Sequence, residues 1–297
     1  MNNNSIKLSS ADKTFDIIIN CIGVVIILIV ACPLVFVLAA SFSDPDLVLK
    51  GEVLFFPKGI TLEPYKMVFE NERIWRGYAN TIFYTLMGTI INIFMTILAA
   101  YPLSRKDLPG RRFFMLVFIF TMYFNGGLIP TYLLVRDLGM YNSIWAILIP
   151  TAISTYNLIV AKTFFESTIP HEIYESAMID GSSNIRTLFK IVLPLSKSII
   201  AVLVLYYGVA HWNSYFSALV YLRDESLFPL QIILRDILLL GQTEQIGSNS
   251  VGMGEKIKMA EAIKYSVIVV SSLPVLVIYP FVQKHFVKGV MIGAVKG

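Results

Sequence analysis

Charged residues, cysteine and histidine are scarce in this chain. Only 15% of its 297 residues are charged, its formal net charge is +4, and it has two cysteines and three histidines. So small a net charge provides no bulk basic field for binding nucleic acid. Cys21 and Cys32 lie in one apolar run without a paired His or carboxylate nearby, which argues against a disulfide or a metal site.

Several catalytic motifs are missing as well. The chain has no G-x-x-x-x-G-K-[ST] phosphate loop, so we expect it not to bind ATP by that route. It has no H-E-x-x-H, no G-x-S-x-G and no clustered carboxylates, and His171, His211 and His285 are scattered. These absences argue against a membrane-embedded enzyme.

Apolar residues are what the chain has in excess. They make up 56% of it, and the mean hydropathy is +0.69, more than the interior of a soluble domain of this length can hide. A helix needs roughly 20 apolar residues to cross the hydrocarbon core of a membrane. The sequence therefore predicts an all-α polytopic membrane protein with six transmembrane helices, at 15–40, 78–103, 113–135, 142–165, 198–221 and 265–287. The first run is too long for a signal-peptide core, so we interpret it as a retained span.

Basic residues predict the orientation. The connection 104–112 contains Arg105, Lys106, Arg111 and Arg112, and short loops rich in Lys and Arg stay in the cytoplasm. Both termini are then cytoplasmic. The predicted inner segments besides that connection are 1–14, 166–197 and 288–297, and the predicted outer loops are 41–77 and 222–264.

The inner loop 166–197 has the pattern of two short amphipathic helices. Thr168 is the predicted N-cap, Pro170 suits a first turn, and Asp180-Gly181 is a helix stop. Ile169, Ile173, Tyr174, Ala177 and Met178 form one apolar stripe, whereas Glu172 and Glu175 lie off it. We interpret the first helix as one that docks into a groove of a soluble partner. A helix lying on the membrane surface is the alternative, but such helices usually carry Lys and Arg on their polar face.

The same loop carries a family resemblance. Glu175-Ser176-Ala177, Asp180-Gly181 and Leu193-Pro194 resemble the EAA loop of binding-protein-dependent ABC importer permeases, which share a MetI-like core; Ser176 stands where that signature often has Ala. The resemblance implies that 170–181 is a coupling helix seated in a cleft of the ATPase subunit. The residues it assigns to ATPase coupling are Glu172, Glu175, Ala177, Asp180, Gly181, Leu193 and Pro194.

Three further segments resemble the carbohydrate-uptake permeases of this family. The Gly-rich tail 288–297 is similar to theirs, and 211–216, with its Trp212-Asn213 pair, resembles a motif in their fifth span. The segment 124–130 is similar to the subgroup that handles complex or modified oligosaccharides.

Uncharged polar residues mark a predicted substrate pathway. Counting 1.5 Å per residue places polar or aromatic groups of four spans near one depth, Thr89 and Asn92 among them. Asn, Tyr and Trp can bond sugar hydroxyls and cover sugar C–H surfaces, although such residues also hold helices together. The predicted pathway residues are Asn125, Tyr156, Asn157, Trp212, Asn213 and Tyr215.

The sequence thus leads to one hypothesis and two alternatives. The resemblance implies a permease subunit of an ABC importer for a saccharide, expected to be an oligosaccharide, in a bacterial cell membrane. Its implied partners are a second, non-identical permease, an ATPase dimer that binds ATP and Mg²⁺, and an extracellular solute-binding protein; nucleic acid is not among them. The alternatives are an importer permease for a non-sugar solute and an ATP-independent secondary transporter. The latter is disfavoured because no Asp, Glu, Arg or Lys lies well inside a predicted span.

Overall fold

The computed structural model describes residues 9–247 and 263–280, and every regular element assigned in them is a helix. The prediction of an all-α fold is therefore confirmed. The chain divides into two compact units, one made of 1–70 and 236–271 and the other of 71–235 and 272–297.

The α-helices are numbered in chain order. They are α1 (Ser10–Ser41), α2 (Pro45–Leu49), α3 (Glu63–Glu70), α4 (Glu72–Ser104), α5 (Arg111–Tyr123), α6 (Leu128–Asp137), α7 (Trp145–Leu148), α8 (Thr155–Thr168), α9 (His171–Ile179), α10 (Asn184–Thr187), α11 (Leu193–Leu195), α12 (Lys197–Trp212), α13 (Phe216–Tyr221), α14 (Leu230–Gly247) and α15 (Ile263–Pro280). A π-helical turn, Leu188–Val192, joins α10 to α11, and a 3₁₀ turn, Glu225–Leu227, precedes α14.

Helix α1 of the first unit is apolar on all sides. None of the side chains in its most apolar 18-residue window is buried in the chain, so lipid or another subunit must cover them. Its N-terminus is closed by a capping box in which the amide of Ser9 donates to Asp12 Oδ2 at 3.0 Å. At its other end, the Ser43 hydroxyl donates to the carbonyl of Ala39 at 2.7 Å and accepts from the amide of Lys58 at 3.0 Å.

The second unit is built around α4, which packs against α8 and α12. Its largest buried cluster contains Ala100 and Leu103 of α4, Leu158 and Phe165 of α8, and Leu203 of α12. Apolar side chains from three helices thus form one core, the usual way in which helices associate in a bundle.

Three helices in the described part of the chain, namely α1, α4 and α15, are long and apolar enough to cross a membrane. Two sharply bent pairs, α5 with α6 and 184–195 with α12, raise that number to at most five. The six-span topology therefore stays a prediction. Residues 281–287 of the sixth predicted span lie outside the described residues.

Three of the predicted spans are interrupted rather than continuous. In 113–135 the chain turns by 115° between α5 and α6, where Gly127 has φ +90°. In 142–165 the chain leaves the helix around Pro150, which lacks the N–H that a helix interior requires. In 198–221 α12 ends at Trp212 and α13 begins at Phe216. Hydropathy measures only apolar content, so it does not detect such breaks.

Candidate functional site

The predicted hairpin of loop helices is present. Helix α9 is followed by Gly181 at φ +70°, where the Gly181 amide donates to the carbonyl of Met178 and the Ser182 amide to that of Ala177. These two bonds form a Schellman motif, which needs the left-handed conformation that Gly adopts readily. The predicted stop at Asp180-Gly181 is confirmed. The predicted N-cap is wrong, because Thr168 is the last residue of α8 and Pro170 occupies the cap position.

The second loop helix is distorted ahead of Pro194. The Ser183 hydroxyl accepts a bond from the amide of Arg186 at 3.3 Å, so Ser183 is the N-cap of this helix. Proline has no N–H to donate into the preceding turn, and its ring crowds the carbonyl four residues earlier. The π-helical turn Leu188–Val192 relieves this crowding, and the chain then bends by 84° into α12. Leu193 is half-buried and Pro194 is exposed.

Most of the apolar stripe of α9 packs on its own chain, whereas Met178 is 55% exposed; docking of the helix into a partner stays a prediction. Ile169 and Tyr174 belong to the same buried cluster as Leu188, and Ala177 is only 4% exposed. The outward surface holds the acidic side chains and two apolar ones, of which Ile179 is 86% exposed. These outward residues, the outer face of α9, are His171, Glu172, Glu175, Ser176, Met178, Ile179 and Asp180.

A buried arginine lies between α4 and α9. Arg105, the C-cap of α4, is 6% exposed, and its guanidinium carbon lies 4.4 Å from the centre of the Tyr174 ring. Its Nε donates to Asp107 Oδ1 and its Nη2 to Asp107 Oδ2, both at 2.9 Å. A desolvated cation over an aromatic face is worth about 2 kcal/mol, and a two-pronged bond to a carboxylate fixes the plane of the guanidinium.

The protonation states around Arg105 favour this arrangement. The hydrogen bond from Arg105 lowers the pKa of Asp107, so that its carboxylate stays charged at neutral pH. Burial raises the pKa of Tyr174 to about 12, so its phenol stays neutral. The Arg105 guanidinium therefore faces one carboxylate and one neutral ring.

Open clefts border Arg105 on two sides. One, of about 460 Å³, lies towards α9 and is lined by Arg105, His171 and Tyr174 among others. The other, of about 370 Å³, lies towards α10 and is lined by Arg105, Asn184 and Ile185 among others. Between these clefts, the contact of Arg105 with Tyr174 links the end of α4 to α9.

A second ionic link joins α8 to the start of α5. Glu166 of α8 pairs with Arg111 of α5 and accepts a bond from Lys162 Nζ at 2.7 Å. All three side chains are less than one-third exposed, so their charges are only partly screened by water.

Buried polar side chains connect the middle of α4 to the C-terminal end of α12. His211 Nε2 lies 2.6 Å from Asn92 Oδ1, and the Asn92 amide nitrogen donates to the carbonyl of Thr151 in the break before α8. A Cβ on Gly88 would lie 2.4 Å from His211 Nε2, so the imidazole occupies the space that the glycine leaves free. Full burial of these polar groups requires such partners.

A second polar contact lies one turn further along α4. The hydroxyls of Thr96 and Tyr207 are 2.7 Å apart, and the Tyr207 hydroxyl also accepts a bond from the Ser154 amide at 3.1 Å. The break 149–154 is thus held by side chains of α4 and α12. Because Asn92, Thr96 and His211 are buried, they serve to hold helices together.

The predicted pathway residues are divided between buried and exposed positions. Asn157 and Trp212 are buried; the Trp212 ring lies 6.2 Å from that of Tyr78. The exposed ones are Asn125, Tyr156, Asn213 and Tyr215. Asn125 Oδ1 accepts a bond from the Gly127 amide at 2.8 Å in the bend, and Asn213 is the C-cap of α12. Their role in a pathway stays a prediction.

Sequence reasoning missed Arg105, Gly88 and the pairing of Asn92 with His211. A usable signal existed for two of them, since Gly88 and Asn92 are four residues apart and share one face of α4. The burial of Arg105 could not be inferred, because a basic residue in a short inner loop is expected from the membrane topology alone. Among the described residues no three His, Cys, Asp or Glu side chains lie together as a metal site would require.

Comparison with known proteins gives a consistent result. Residues 93–292 match the family model "Binding-protein-dependent transport system inner membrane component". The chain is 41% identical to the polygalacturonan/rhamnogalacturonan transport system permease protein YtcP of Bacillus subtilis, over 96% of this chain and 99% of that one. It is 40% identical to Protein LplC of the same organism, over 97% of each.

A solved structure is similar over nearly the whole chain. It is the crystal structure of a bacterial ABC transporter involved in the import of the acidic polysaccharide alginate. The TM-score is 0.86 and the identity is 33%, with 95% of this chain and 100% of that chain covered.

Proposed function

Because the chain belongs to the family of binding-protein-dependent transport system inner membrane components, we propose that it is a permease subunit of an ABC importer that moves a saccharide across the cell membrane. The observation that carries this is the similarity, over 95% of the chain, to a component of a transporter that imports alginate. The relative at 41% identity is named for transport of polygalacturonan and rhamnogalacturonan.

The substrate class follows from these relatives. Both named substrates are polysaccharides, which favours a saccharide, in oligomeric form, over a non-sugar solute. Polar and aromatic groups of the predicted spans, namely Asn125, Tyr156, Asn157, Trp212, Asn213 and Tyr215, are the proposed pathway residues. A secondary transporter is the weaker alternative, because the related structure is that of an ABC transporter.

The driving force comes from a separate ATPase. As a permease subunit the chain carries no ATP site of its own, and ATP with Mg²⁺ binds the partner ATPase dimer. We assign the contact with that partner to the outer face of α9, where Glu172 and Glu175 provide charge and Met178 and Ile179 provide apolar surface. Ala177, Gly181, Leu193 and Pro194 shape the loop that presents this face.

The proposal includes a topology and an assembly. Six spans with both termini in the cytoplasm place α9 on the same side as the ATPase. The remaining partners are a second, non-identical permease subunit and an extracellular solute-binding protein that delivers the saccharide. Closure of the ATPase pair would move α9 and shift the spans between outward-open and inward-open states.

Reconstitution tests this function. The chain, its partner permease, the ATPase and the solute-binding protein are assembled in liposomes and supplied with radiolabelled oligogalacturonide, oligoalginate or a neutral oligosaccharide. We expect uptake of at least one saccharide that requires both ATP and the binding protein. Uptake without the ATPase would favour a secondary transporter, and uptake of non-sugar solutes alone would refute the saccharide assignment.

A further inference from the structure

We propose that Arg105 is a positioning residue that clamps the coupling helix α9 to the end of α4, through Tyr174 on one side and Asp107 on the other. The inference rests on the proposed function, because it concerns how movement of α9 reaches the membrane-spanning part. Arg105 is buried, and nothing in its position at a helix C-cap requires burial, since an arginine there can bond the last carbonyls from solvent.

The clamp joins two elements that are distant in the sequence. Tyr174 is one of only two buried side chains of α9, and its ring packs 6.3 Å from that of Tyr101, one turn before Arg105 in α4. The guanidinium thus lies over the Tyr174 ring of α9, which itself packs beside the Tyr101 ring of α4. Beside this contact, Tyr101 and Leu103 of α4 share one buried cluster with Ile169 and Tyr174, so the guanidinium adds to a packed contact between α4 and α9.

Arginine is suited to this position in a way that lysine is not. Its planar guanidinium can bond both oxygens of Asp107 and still present a face to Tyr174. A lysine ammonium retains the charge but cannot make the two-pronged bond to Asp107. Its position over the Tyr174 ring is therefore not fixed. The clamp therefore depends on both the shape and the charge of Arg105.

Movement at Arg105 would reach the buried polar contacts of Asn92 along α4. Asn92 lies thirteen residues before Arg105 in α4, which at 1.5 Å per residue is a distance of about 20 Å along the axis. Asn92 bonds both His211 of α12 and the carbonyl of Thr151 in the break before α8. Displacement of α4 by α9 would therefore be passed to α12 and to this break.

The test measures coupling in the complete reconstituted complex. The readout is the number of saccharide molecules imported per ATP hydrolysed, with co-purification of the ATPase as the measure of assembly. Tyr174→Leu removes the aromatic face and Tyr174→Phe retains it. We expect Tyr174→Leu to lower the import-to-hydrolysis ratio about fivefold or more, the lower range of coupling between sites in proteins. Tyr174→Phe should retain most of the ratio.

Substitutions of Arg105 form the second part of the test. Arg105→Gln should lower the ratio as Tyr174→Leu does, and Arg105→Lys should give an intermediate ratio. Arg112→Gln removes an exposed arginine in the first turn of α5 and serves as the matched control. The double variant Arg105→Gln/Tyr174→Leu is then compared with each single variant. If its import-to-hydrolysis ratio is no lower than that of either single variant, the two residues act as one unit.

Three results would overturn the clamp. One is a wild-type ratio in Arg105→Gln and Tyr174→Leu, and another is equal loss in Tyr174→Phe and Tyr174→Leu. The third is loss of assembly in both Arg105→Gln and Tyr174→Leu while Tyr174→Phe assembles, which would assign the pair to folding alone. In each case ATP-dependent uptake by the wild-type complex still stands, so the proposed function is judged separately.

Discussion

The imidazole of His211 lies against Gly88, in the space that any side chain at residue 88 would fill. A Cβ there would be 2.4 Å from Nε2 and 2.5 Å from Cε1, closer than real contacts allow. The same Nε2 lies 2.6 Å from Asn92 Oδ1. The glycine thus allows α4 and α12 to approach closely and a buried hydrogen bond to form between them.

We expect Gly88→Ala to destabilise the protein by about 1–3 kcal/mol, the usual cost of inserting a methyl group into a well-packed site. The His211 ring must move, which breaks its bond to Asn92. Thermal unfolding of the purified chain in nanodiscs measures this effect. Gly208→Ala is the matched control, because its Cβ would meet only Thr89 Oγ1 at 3.8 Å, an ordinary contact. Equal melting temperatures for the two variants would show that His211 is not held against Gly88.

The turn after α9 gives a second prediction. We expect Gly181→Ala to reduce import, because φ +70° costs an L-residue roughly 1–2 kcal/mol and the Schellman bonds depend on it. Nothing lies within 4 Å of a Cβ at Gly181, so backbone conformation, not crowding, is the cause. Gly181→Asn should recover part of the lost uptake, since Asn tolerates this conformation. A fully active Gly181→Ala variant would contradict the need for this turn.

Accessibility of single cysteines tests which face of α9 is outward. With Cys21 and Cys32 replaced by Ser, Ile179→Cys should react quickly with a water-soluble maleimide and Ala177→Cys slowly, because Ile179 is 86% exposed and Ala177 is 4% exposed. Addition of the ATPase should protect Ile179→Cys if the outer face of α9 is the contact. Rapid labelling of Ala177→Cys would contradict the burial of this side of α9.

The Arg105–Asp107 pair predicts a pH dependence. The folded-state pKa of Asp107 is lowered, so the pair contributes stability above the unfolded-state pKa, about 3.9, and loses it as the pH falls through the folded-state value. Asp107→Asn should therefore be less stable than wild type at pH 7, and the difference should shrink below about pH 4. Denaturation of both proteins across this range checks the sign. A difference that persists unchanged in acid would exclude the Asp107 carboxylate as its source.

Some features of the candidate site could be predicted from the sequence, because each depends on residues that are neighbours along the chain. The stop at Asp180-Gly181 is a local signal, and the structure has it. Of the predicted stripe, Ile169, Tyr174 and Ala177 are buried against the same chain, whereas Met178 is exposed. Periodicity shows that a helix has an apolar face, and it does not tell whether that face meets another subunit or the same chain.

The sequence by itself determined the membrane character of the protein, its helical class and the hairpin of loop helices. Hydropathy, composition and cap residues depend on residues that are neighbours along the chain, so they can be judged without a fold. Only the tertiary structure decided that Arg105 meets Tyr174, that Gly88 accommodates His211, and that Asn92 bonds a residue 119 positions away. These contacts depend on how α4 packs against α9 and α12, and packing joins residues that no local pattern relates.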